Sequence, residues 1–171
     1  MIYVDFDGVI LDTEDIAFKE LRKNIDKTNL TENMVINYLK NLDWQMVLTE
    51  ASEINDAISI LKNADINRYT ILTKIHSLEN EGVEKIKYLR KRGIQQNIIL
   101  VPYNVKKSEI VNPNGNILID DCLKNLDEWK YAGGYPIFFD RKNNNIDSWN
   151  VYNVAQYARV QKIIISQSDL W

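Results

Sequence analysis

Two aspartates, Asp5 and Asp7, directly follow the first apolar run of the chain and precede Gly8. The run at residues 2–4 predicts a strand, and the glycine permits a tight turn, so both carboxylates are expected at the carboxyl end of that strand. In an open α/β sheet, ligands bind at this edge. The fragment alone is also typical of an ordinary acidic turn, so its interpretation depends on what other strands bring to the same edge.

A second acidic pair, Asp120 and Asp121, follows the apolar run at residues 117–119. If the four aspartates of the two pairs meet at one edge, they repel one another unless a cation lies among them. Hard carboxylate ligands suit Mg²⁺, whereas a chain with one histidine and one cysteine offers no ligand cluster for zinc. We therefore predict a Mg²⁺ site formed by Asp5, Asp7 and the second pair.

Groups that could bind an anion are expected nearby. Thr73 ends the next β-rich run and offers a hydroxyl group together with backbone N–H groups. Lys106 and Lys107 precede a short helical segment, and either ammonium group could balance the charge of a phosphoryl group. We therefore predict that a phosphorylated ligand binds at the same edge as the metal.

The elements that must position these groups alternate between strands and helices. Helical patterns at residues 78–92 and 123–132 each end at a glycine. The long segment between the first two strands carries helical patterns and no strand signal, which predicts an inserted helical subdomain. The alternation favours an α/β fold with a mainly parallel sheet. The predicted strands are residues 2–4, 69–72, 97–101, 117–119 and 135–139.

Length and charge restrict the class of protein. The 171 residues, 45% of them apolar, suffice for one compact unit with a hydrophobic core. A formal charge of -3 argues against a nucleic acid polymer as partner. Apolar stretches are far shorter than the ~18 residues of a membrane span. No targeting segment is recognised before the first strand, so we expect a cytoplasmic protein with no membrane partner. Helical spacing from about residue 148 and an apolar run at residues 163–165 have no assigned role.

The order of these features resembles the phosphatases of the haloacid dehalogenase (HAD) superfamily. Their four signatures, in order along the chain, are a DxD after the first strand, a Thr or Ser, a Lys and an acidic pair. In addition, residues 117–129 with Gly133-Gly134 resemble members close to the 5'(3')-deoxyribonucleotidases. The resemblance covers residues 1 to about 140. It implies a three-layer Rossmann-like core, residues 1–10 and 68–171, with sheet order 5-4-1-2-3. Residues 11–67 would form a C1-type helical cap that selects the leaving group.

The resemblance also implies roles for the acidic residues. Asp5 would attack phosphorus and form an aspartyl phosphate. Asp7 would protonate the leaving oxygen and then deprotonate water, which requires it to carry a proton while Asp5 stays ionised. Mg²⁺ would be held by the Asp5 carboxylate, the Asp7 backbone carbonyl and Asp120, with Asp121 acting through water.

By the same resemblance, Thr73 and a lysine would hold the phosphoryl oxygens. Lys107 is preferred because a small residue follows it at a helix start, as in the family, and Lys106 is the alternative. The family's common Thr after DxDx is replaced by Val9, a form that many phosphatase members share. Asn125 stands where some members have another acid, and its contact with the metal shell is left open.

Other side chains have two interpretations each. Phe18, Tyr38 and Trp44 of the cap could stack a nucleobase, although aromatic residues at helical spacing are more often core. His76, three residues beyond the strand-terminal threonine, is expected as a loop or substrate-contact residue rather than a general base. Cys122 is expected as a small buried packing residue rather than a redox sensor, and it cannot form an internal disulfide.

We therefore predict a Mg²⁺-dependent phosphomonoester hydrolase acting on a small phosphorylated metabolite, a nucleoside monophosphate by preference. A phosphatase of phosphosugars or other small phosphometabolites is the alternative within the enzymes. A HAD-like binding protein without catalysis is disfavoured because both aspartates of the DxD are present. A receiver-like phosphoacceptor is disfavoured because its acid would follow the third strand, where this chain has Val101-Pro102-Tyr103.

Overall fold

The computed structural model describes residues 1–25 and 30–139. Its strands are β1 (Ile2–Val4), β2 (Tyr69–Ile75), β3 (Asn97–Pro102), β4 (Ile117–Asp120) and β5 (Tyr135–Phe138). They form one sheet in the order β3-β2-β1-β4-β5, and every pair is parallel. Read from the other edge, this is the expected order 5-4-1-2-3, so the predicted α/β fold and its sheet order are confirmed.

Within these residues, the strands are joined by α-helices and a short π-helical turn. The α-helices are α1 (Thr13–Asn24), α2 (Glu32–Asn41), α3 (Trp44–Glu50), α4 (Ala57–Asn63), α5 (Val83–Lys91), α6 (Lys107–Ile110) and α7 (Leu123–Tyr131). The first four lie between β1 and β2, where the helical insertion was predicted. None of the helices in the described ranges is long and apolar enough to cross a membrane. The predicted helical spacing after residue 148 and the run at 163–165 lie outside the described residues.

The helix predicted from Leu78 begins with one wide π-helical turn, Leu78–Gly82, and continues as α5. The Ser77 hydroxyl caps this turn by accepting a hydrogen bond from the Asn80 N–H group at 3.3 Å. The turn packs so closely on β3 that a Cβ at its glycine would lie 2.8 Å from Leu100 Cδ1. The wide turn therefore fixes the position of Glu81, which is buried against the site described below.

Alternate residues of the strands pack on opposite faces of the sheet. On one face, Ile2 and Val4 pack with buried side chains of α4 and α5. On the other face, Tyr3 packs with Leu72 and with Trp129 of α7, whose ring meets the tyrosine ring edge-on at 5.4 Å. The central strand is thus covered on both sides, which gives the three layers that a parallel sheet requires.

The helical insertion divides between two hydrophobic clusters. Helices α1, α2 and α3 share a cluster of their own that includes Ala17, Leu39 and Val47. Helix α4 instead contributes Ala57 and Leu61 to the cluster of the sheet. The predicted insertion of residues 11–67 therefore contains a small helical layer, α1–α3, and one helix that packs as part of the core.

Hydrogen bonds attach this helical layer to the rest of the chain, and two of them show how. The Ile54 N–H group donates to the Ile10 carbonyl at 3.0 Å, which joins the returning chain to the outgoing one. The Asn80 side-chain amide donates to the Leu42 carbonyl at 2.8 Å, which joins the π-helical turn to the end of α2. These contacts hold α1–α3 beside the carboxyl edge of the sheet.

A Cβ atom at Gly134 would overlap the indole ring of the buried Trp129. We expect Gly134→Ala to lower the free energy of unfolding by about 3 kcal/mol, because overpacking a core costs this much when the ring cannot move. The ring is held by its hydrogen bond to the Asn116 carbonyl at 3.1 Å. Urea unfolding measures the loss.

Gly115→Ala is the matched control. Gly115 has a φ of +73° and open space around its Cβ position, so the substitution adds only backbone strain of about 1 kcal/mol. Equal losses in the two variants would contradict the overlap with the indole ring as the cause.

Candidate active site

Parallel pairing of β1 with β4 brings the two acidic pairs together. Val4 lies opposite Ile119, so the residues that follow, Asp5 and Asp120, lie side by side at the carboxyl edge. The Asp5 N–H group donates to the Ile119 carbonyl at 2.9 Å, which continues the strand pairing up to the acid. Both carboxylates are buried. The predicted meeting of the two acidic pairs therefore takes place at the edge where the sequence placed it.

Lys107 joins these two carboxylates. Its Nζ atom lies 2.9 Å from Asp5 Oδ1 and 2.7 Å from Asp120 Oδ2, and the side chain is buried. Burial by itself lowers the pKa of a lysine, but the charges of Asp5 and Asp120 outweigh it and the pKa of Lys107 is raised. Lys106 is exposed and lines a surface groove beside α7 with Asp127 and other residues. The structure thus places Lys107, the preferred lysine, at the acids.

Three carboxylates are close enough to share one cation. Oxygen atoms of Asp5, Asp120 and Asp121 lie within 4.8 Å of one another. The donors are hard oxygen atoms, which fit Mg²⁺. The Asp7 carboxylate does not belong to this group and is directed to another partner, described below. Its predicted contribution to the metal, through the backbone carbonyl, stays a prediction.

Gly8 allows the acidic loop to pass close to Asp121. Its φ of +68° is a conformation that residues with a side chain rarely adopt, and a Cβ there would overlap the carboxylate of Asp121. The glycine of the predicted tight turn therefore has a second purpose, which is to leave room for a carboxylate of the metal group.

Asp7 is enclosed by hydrogen-bond donors from three elements. Thr13, the first residue of α1, donates to Asp7 Oδ1 at 2.6 Å. Thr73 of β2 donates to Oδ2 at 3.2 Å, and Lys85 Nζ lies 2.5 Å from the same oxygen. Lys85 is fully buried and also pairs with Glu81 at 2.6 Å. The predicted Thr73 thus reaches the site, accompanied by three residues that the sequence did not single out.

The two aspartates of the DxD have opposite pKa shifts. Burial raises the pKa of Asp5 well above its usual range, against the lowering effect of Lys107, and the charges of Asp120 and Asp7 raise it further. Burial also acts to raise the pKa of Asp7, but the charge and hydrogen bond of Lys85 outweigh it and this pKa is lowered. The expectation that Asp7 carries a proton while Asp5 stays ionised concerns the site with its metal bound, and it stays a prediction. A cation bound to Asp5 would lower the pKa of Asp5 as well.

Comparison with known proteins places this geometry in a known fold. No family model matches the chain, and no curated protein matches it either. Several solved structures match it in fold, and three of them are described here. The chain has the fold of the HAD-superfamily hydrolases. It aligns with one such hydrolase from Ehrlichia chaffeensis at 14% identity and TM-score 0.50, covering 92% of this chain and 94% of that one.

Two further structures of HAD-type hydrolases support the same fold. One, from Bacillus subtilis and bound to magnesium, aligns at 16% identity and TM-score 0.54 over 81% of this chain and 85% of that one. Another, from Streptococcus pneumoniae, aligns at 13% identity and TM-score 0.51 over 80% of this chain and 82% of that one. At these identities, the likeness concerns the arrangement of the elements in the HAD fold.

Two predicted substrate-contact residues lie beside the site in different settings. Trp44, at the start of α3, is buried, and its Nε1 atom donates to the Leu39 carbonyl at 2.8 Å. Its ring faces Lys85 at 5.1 Å, so it packs inside the protein rather than standing open to a nucleobase. His76 is partly exposed, stacks on Tyr103 at 5.4 Å and lies 3.1 Å from a Glu81 carboxylate oxygen.

Two residues next to Asp120 complete its surroundings. The Asn125 side chain donates to both carboxylate oxygens of Asp120, at 3.3 and 3.0 Å, which orients this member of the metal group. The Cys122 N–H group donates to Asp120 Oδ1 at 2.8 Å. Its thiol is exposed, so the expectation of a buried packing residue is wrong. The chain turns into α7 at this point, which leaves the side chain outside the core.

The residues missed from the sequence have one recognisable signal. Glu81, Lys85 and Leu89 are spaced by four, so all three lie on one face of a helix, and all three are buried. A glutamate and a lysine at this spacing are ordinarily an exposed pair, as Glu84 and Lys87 are at a spacing of three. The shared face with Leu89 was the available indication of burial.

We expect Gly8→Ala to weaken Mg²⁺ binding at least about tenfold, because the added methyl group displaces Asp121 from the other two carboxylates. Isothermal titration calorimetry with MgCl₂ measures the affinity. Gly115→Ala is the control, because it carries the same substitution at a positive φ before the amino end of β4, with open space around the Cβ position. Unchanged Mg²⁺ affinity in a folded Gly8→Ala protein would contradict the assignment of Asp121 to the metal group.

Lys85→Met leaves the buried Glu81 and the partly exposed Asp7 without their cation, and we expect it to lower the free energy of unfolding by about 3–5 kcal/mol, because the Lys85–Glu81 pair is buried on both sides. The lowered pKa of Asp7 stabilises the folded wild type above about pH 4, and this contribution is lost as the pH falls further. The difference in the free energy of unfolding between wild type and variant should therefore become smaller as the pH falls from about 7 to about 3.

Urea unfolding at the two pH values measures this difference. Lys87→Met is the control, because Lys87 lies on the exposed side of the same helix and is 66% exposed. A pH-independent loss in Lys85→Met would contradict an ionic origin of the stabilisation.

Proposed function

We propose that this protein is a Mg²⁺-dependent phosphomonoester hydrolase that acts through an aspartyl phosphate on Asp5. The observation that carries the proposal is the buried contact of Lys107 with both Asp5 and Asp120, at 2.9 and 2.7 Å, at the carboxyl edge of a HAD-type sheet. A nucleophilic carboxylate, a cation and a group of metal-binding acids meet there. This combination fits the transfer of a phosphoryl group, whose charge has to be balanced from several sides.

The carboxylates of Asp5, Asp120 and Asp121 are the residues that would hold Mg²⁺. When bound, the metal would neutralise charge on the transferring phosphoryl group. The magnesium-bound hydrolase from Bacillus subtilis has the same fold, which supports the choice of metal. Among the described residues, Lys107 is the lysine whose ammonium group contacts the Asp5 carboxylate. It is therefore also the residue proposed to bind phosphoryl oxygens.

In the first step, a carboxylate oxygen of Asp5 bonds to phosphorus while the bond from phosphorus to the leaving oxygen breaks. The leaving oxygen takes its proton from Asp7. Because Lys85 favours the ionised form of Asp7, this proton must be taken up before or together with substrate binding. Thr73 and Lys107 are proposed to hold the remaining phosphoryl oxygens.

In the second step, a water oxygen bonds to phosphorus while the bond from phosphorus to Asp5 breaks. Asp7 takes the proton of the water molecule, and the products are inorganic phosphate and the restored carboxylate. The ionised form of Asp7, which its surroundings favour, is the form that this step requires.

A nucleoside monophosphate is the proposed substrate class, with action in the cytoplasm. The support comes from the stacked rings of His76 and Tyr103, which follow β2 and β3 at the same edge as the acids and are both partly exposed. Lys40 of α2 lies 5.8 Å from the Tyr103 ring. A planar leaving group can extend such a stack, whereas a phosphosugar offers it no ring of this kind.

Phosphate release from a panel of nucleoside monophosphates and sugar phosphates tests this function. We expect release that requires Mg²⁺, stops with EDTA and falls at least ~10³-fold in Asp5→Asn, because the nucleophile is lost. Asp127→Asn is the matched control, since Asp127 is exposed on α7 and takes no part in the site. Faster release from sugar phosphates would redirect the substrate proposal, and release that persists in Asp5→Asn would contradict the mechanism.

A further inference from the structure

Lys85 is a buried cation beside Asp7 that the proposed mechanism has not yet used. Its ammonium group contacts Asp7 Oδ2 at 2.5 Å, Glu81 Oε1 at 2.6 Å, the Lys74 carbonyl at 3.1 Å and Thr73 Oγ1 at 3.3 Å. An ammonium group has three hydrogen atoms to donate. Acceptors within the chain therefore occupy all of them, and the side chain is 0% exposed. Lys85 is thus placed to act through Asp7 rather than on a substrate.

The surroundings of Lys85 leave its ammonium group one position. Glu81, itself 1% exposed, is held by the His76 N–H group, which donates to the other carboxylate oxygen at 2.6 Å. The rings of Phe6 and Trp44 face the ammonium group at 5.3 and 5.1 Å. Opposite charge, a fixed counter-ion and aromatic rings together restrict the lysine.

This restriction passes to the carboxylate of Asp7. Lys85 and Thr73 occupy its Oδ2 atom, and Thr13 occupies its Oδ1 atom, so rotation of the carboxylate would break contacts at both oxygens. Buried ion pairs are poor stabilisers compared with apolar side chains of the same size. A buried lysine paired with the buried Glu81 and with the partly exposed Asp7 therefore points to a role in the reaction.

We propose that Lys85 is a positioning residue that holds the Asp7 carboxylate in place for the attack of water on the aspartyl phosphate. The inference rests on the proposed function and deepens it. In that step, the bond from phosphorus to Asp5 breaks, the bond from phosphorus to the water oxygen forms, and Asp7 receives the water proton. Loss of Lys85 should therefore slow the second step and leave the phosphorylated enzyme to accumulate.

The test uses p-nitrophenyl phosphate, whose leaving group departs with little help from an acid, so that the first step does not depend on Asp7. In rapid mixing with Mg²⁺, we expect Lys85→Met to release about one nitrophenolate per enzyme in a burst. Steady turnover should then be about 10²-fold slower than in wild type, because a positioned base contributes this much. Intact-protein mass spectrometry after an acid quench should show one added phosphoryl group on the variant.

Two further variants make the result independent of folding. Glu81→Gln combined with Lys85→Met removes the buried Glu81–Lys85 pair together and leaves Asp7 in place, so the double variant should fold more readily than the single one and show the same burst. Lys87→Met is the control on the exposed side of the same helix, and it should behave as wild type. If the single variant does not fold, the burst and the phosphorylated enzyme are measured in the double variant instead, and its result decides whether Lys85 positions Asp7.

The outcomes separate the inference from the proposed function. A variant in which burst and steady rate fall together, without phosphorylated enzyme, would show a merely structural role and overturn the inference. Unchanged turnover would overturn it as well. In both cases, an active wild type that Asp5→Asn inactivates leaves the proposed function standing. A wild type that neither hydrolyses the substrate nor becomes phosphorylated would overturn the proposed function and the inference with it.

Discussion

The carboxylates of Asp5 and Asp120 are buried side by side because β1 and β4 pair in parallel, and their repulsion has to be offset within the fold. Lys107 supplies that offset from a helix that follows β3. The position of α6 and the closeness of α6 to α7 therefore depend on this ionic contact as well as on hydrophobic packing. The same constraint explains why the loop after β1 needs Gly8, since a larger residue would push Asp121 away from the group.

The site contains two cationic centres with different surroundings. Lys107 lies between two members of the metal group, whereas Lys85 lies between Asp7 and Glu81. Each lysine is carried by a helix that follows a strand of the sheet, so the alternation of strands and helices delivers one cation to each aspartate of the DxD. Two neighbouring carboxylates thereby acquire different properties, as acid and base chemistry at one site requires.

The strands and their order could be predicted because short apolar runs alternate with helical patterns and parallel sheets allow few topologies. The site residues at or near the carboxyl ends of the strands, Asp5, Thr73 and Asp120, could be predicted for the same reason, since parallel strand ends meet at one edge. Lys106 and Lys107 are adjacent in sequence, and only the direction of the short helix α6 decides which of them is buried. The preference for Lys107 came from the resemblance to the family, in which a small residue follows the lysine, and not from the periodicity of this chain.

Burial of charge was the property that sequence patterns conveyed least. Lys85 and Glu81 look like an exposed helical pair, and apart from the face that they share with Leu89 no local pattern indicated their burial or the wide π-helical turn that contains Glu81. Trp44 has the spacing of a core residue, but the partner of its ring is a lysine from another part of the chain. Both cases depend on contacts between segments that are distant in sequence, which single-sequence patterns do not contain.

The contact between Trp44 and Lys85 has a consequence for how this protein can evolve. An exchange of α1–α3 for the helices of another protein with this fold would also withdraw the aromatic ring of Trp44 from the buried ammonium group of Lys85. The helical layer is therefore not an independent module. Substitutions are therefore expected to be tolerated elsewhere on that layer more readily than at Trp44, whose indole ring contacts Lys85.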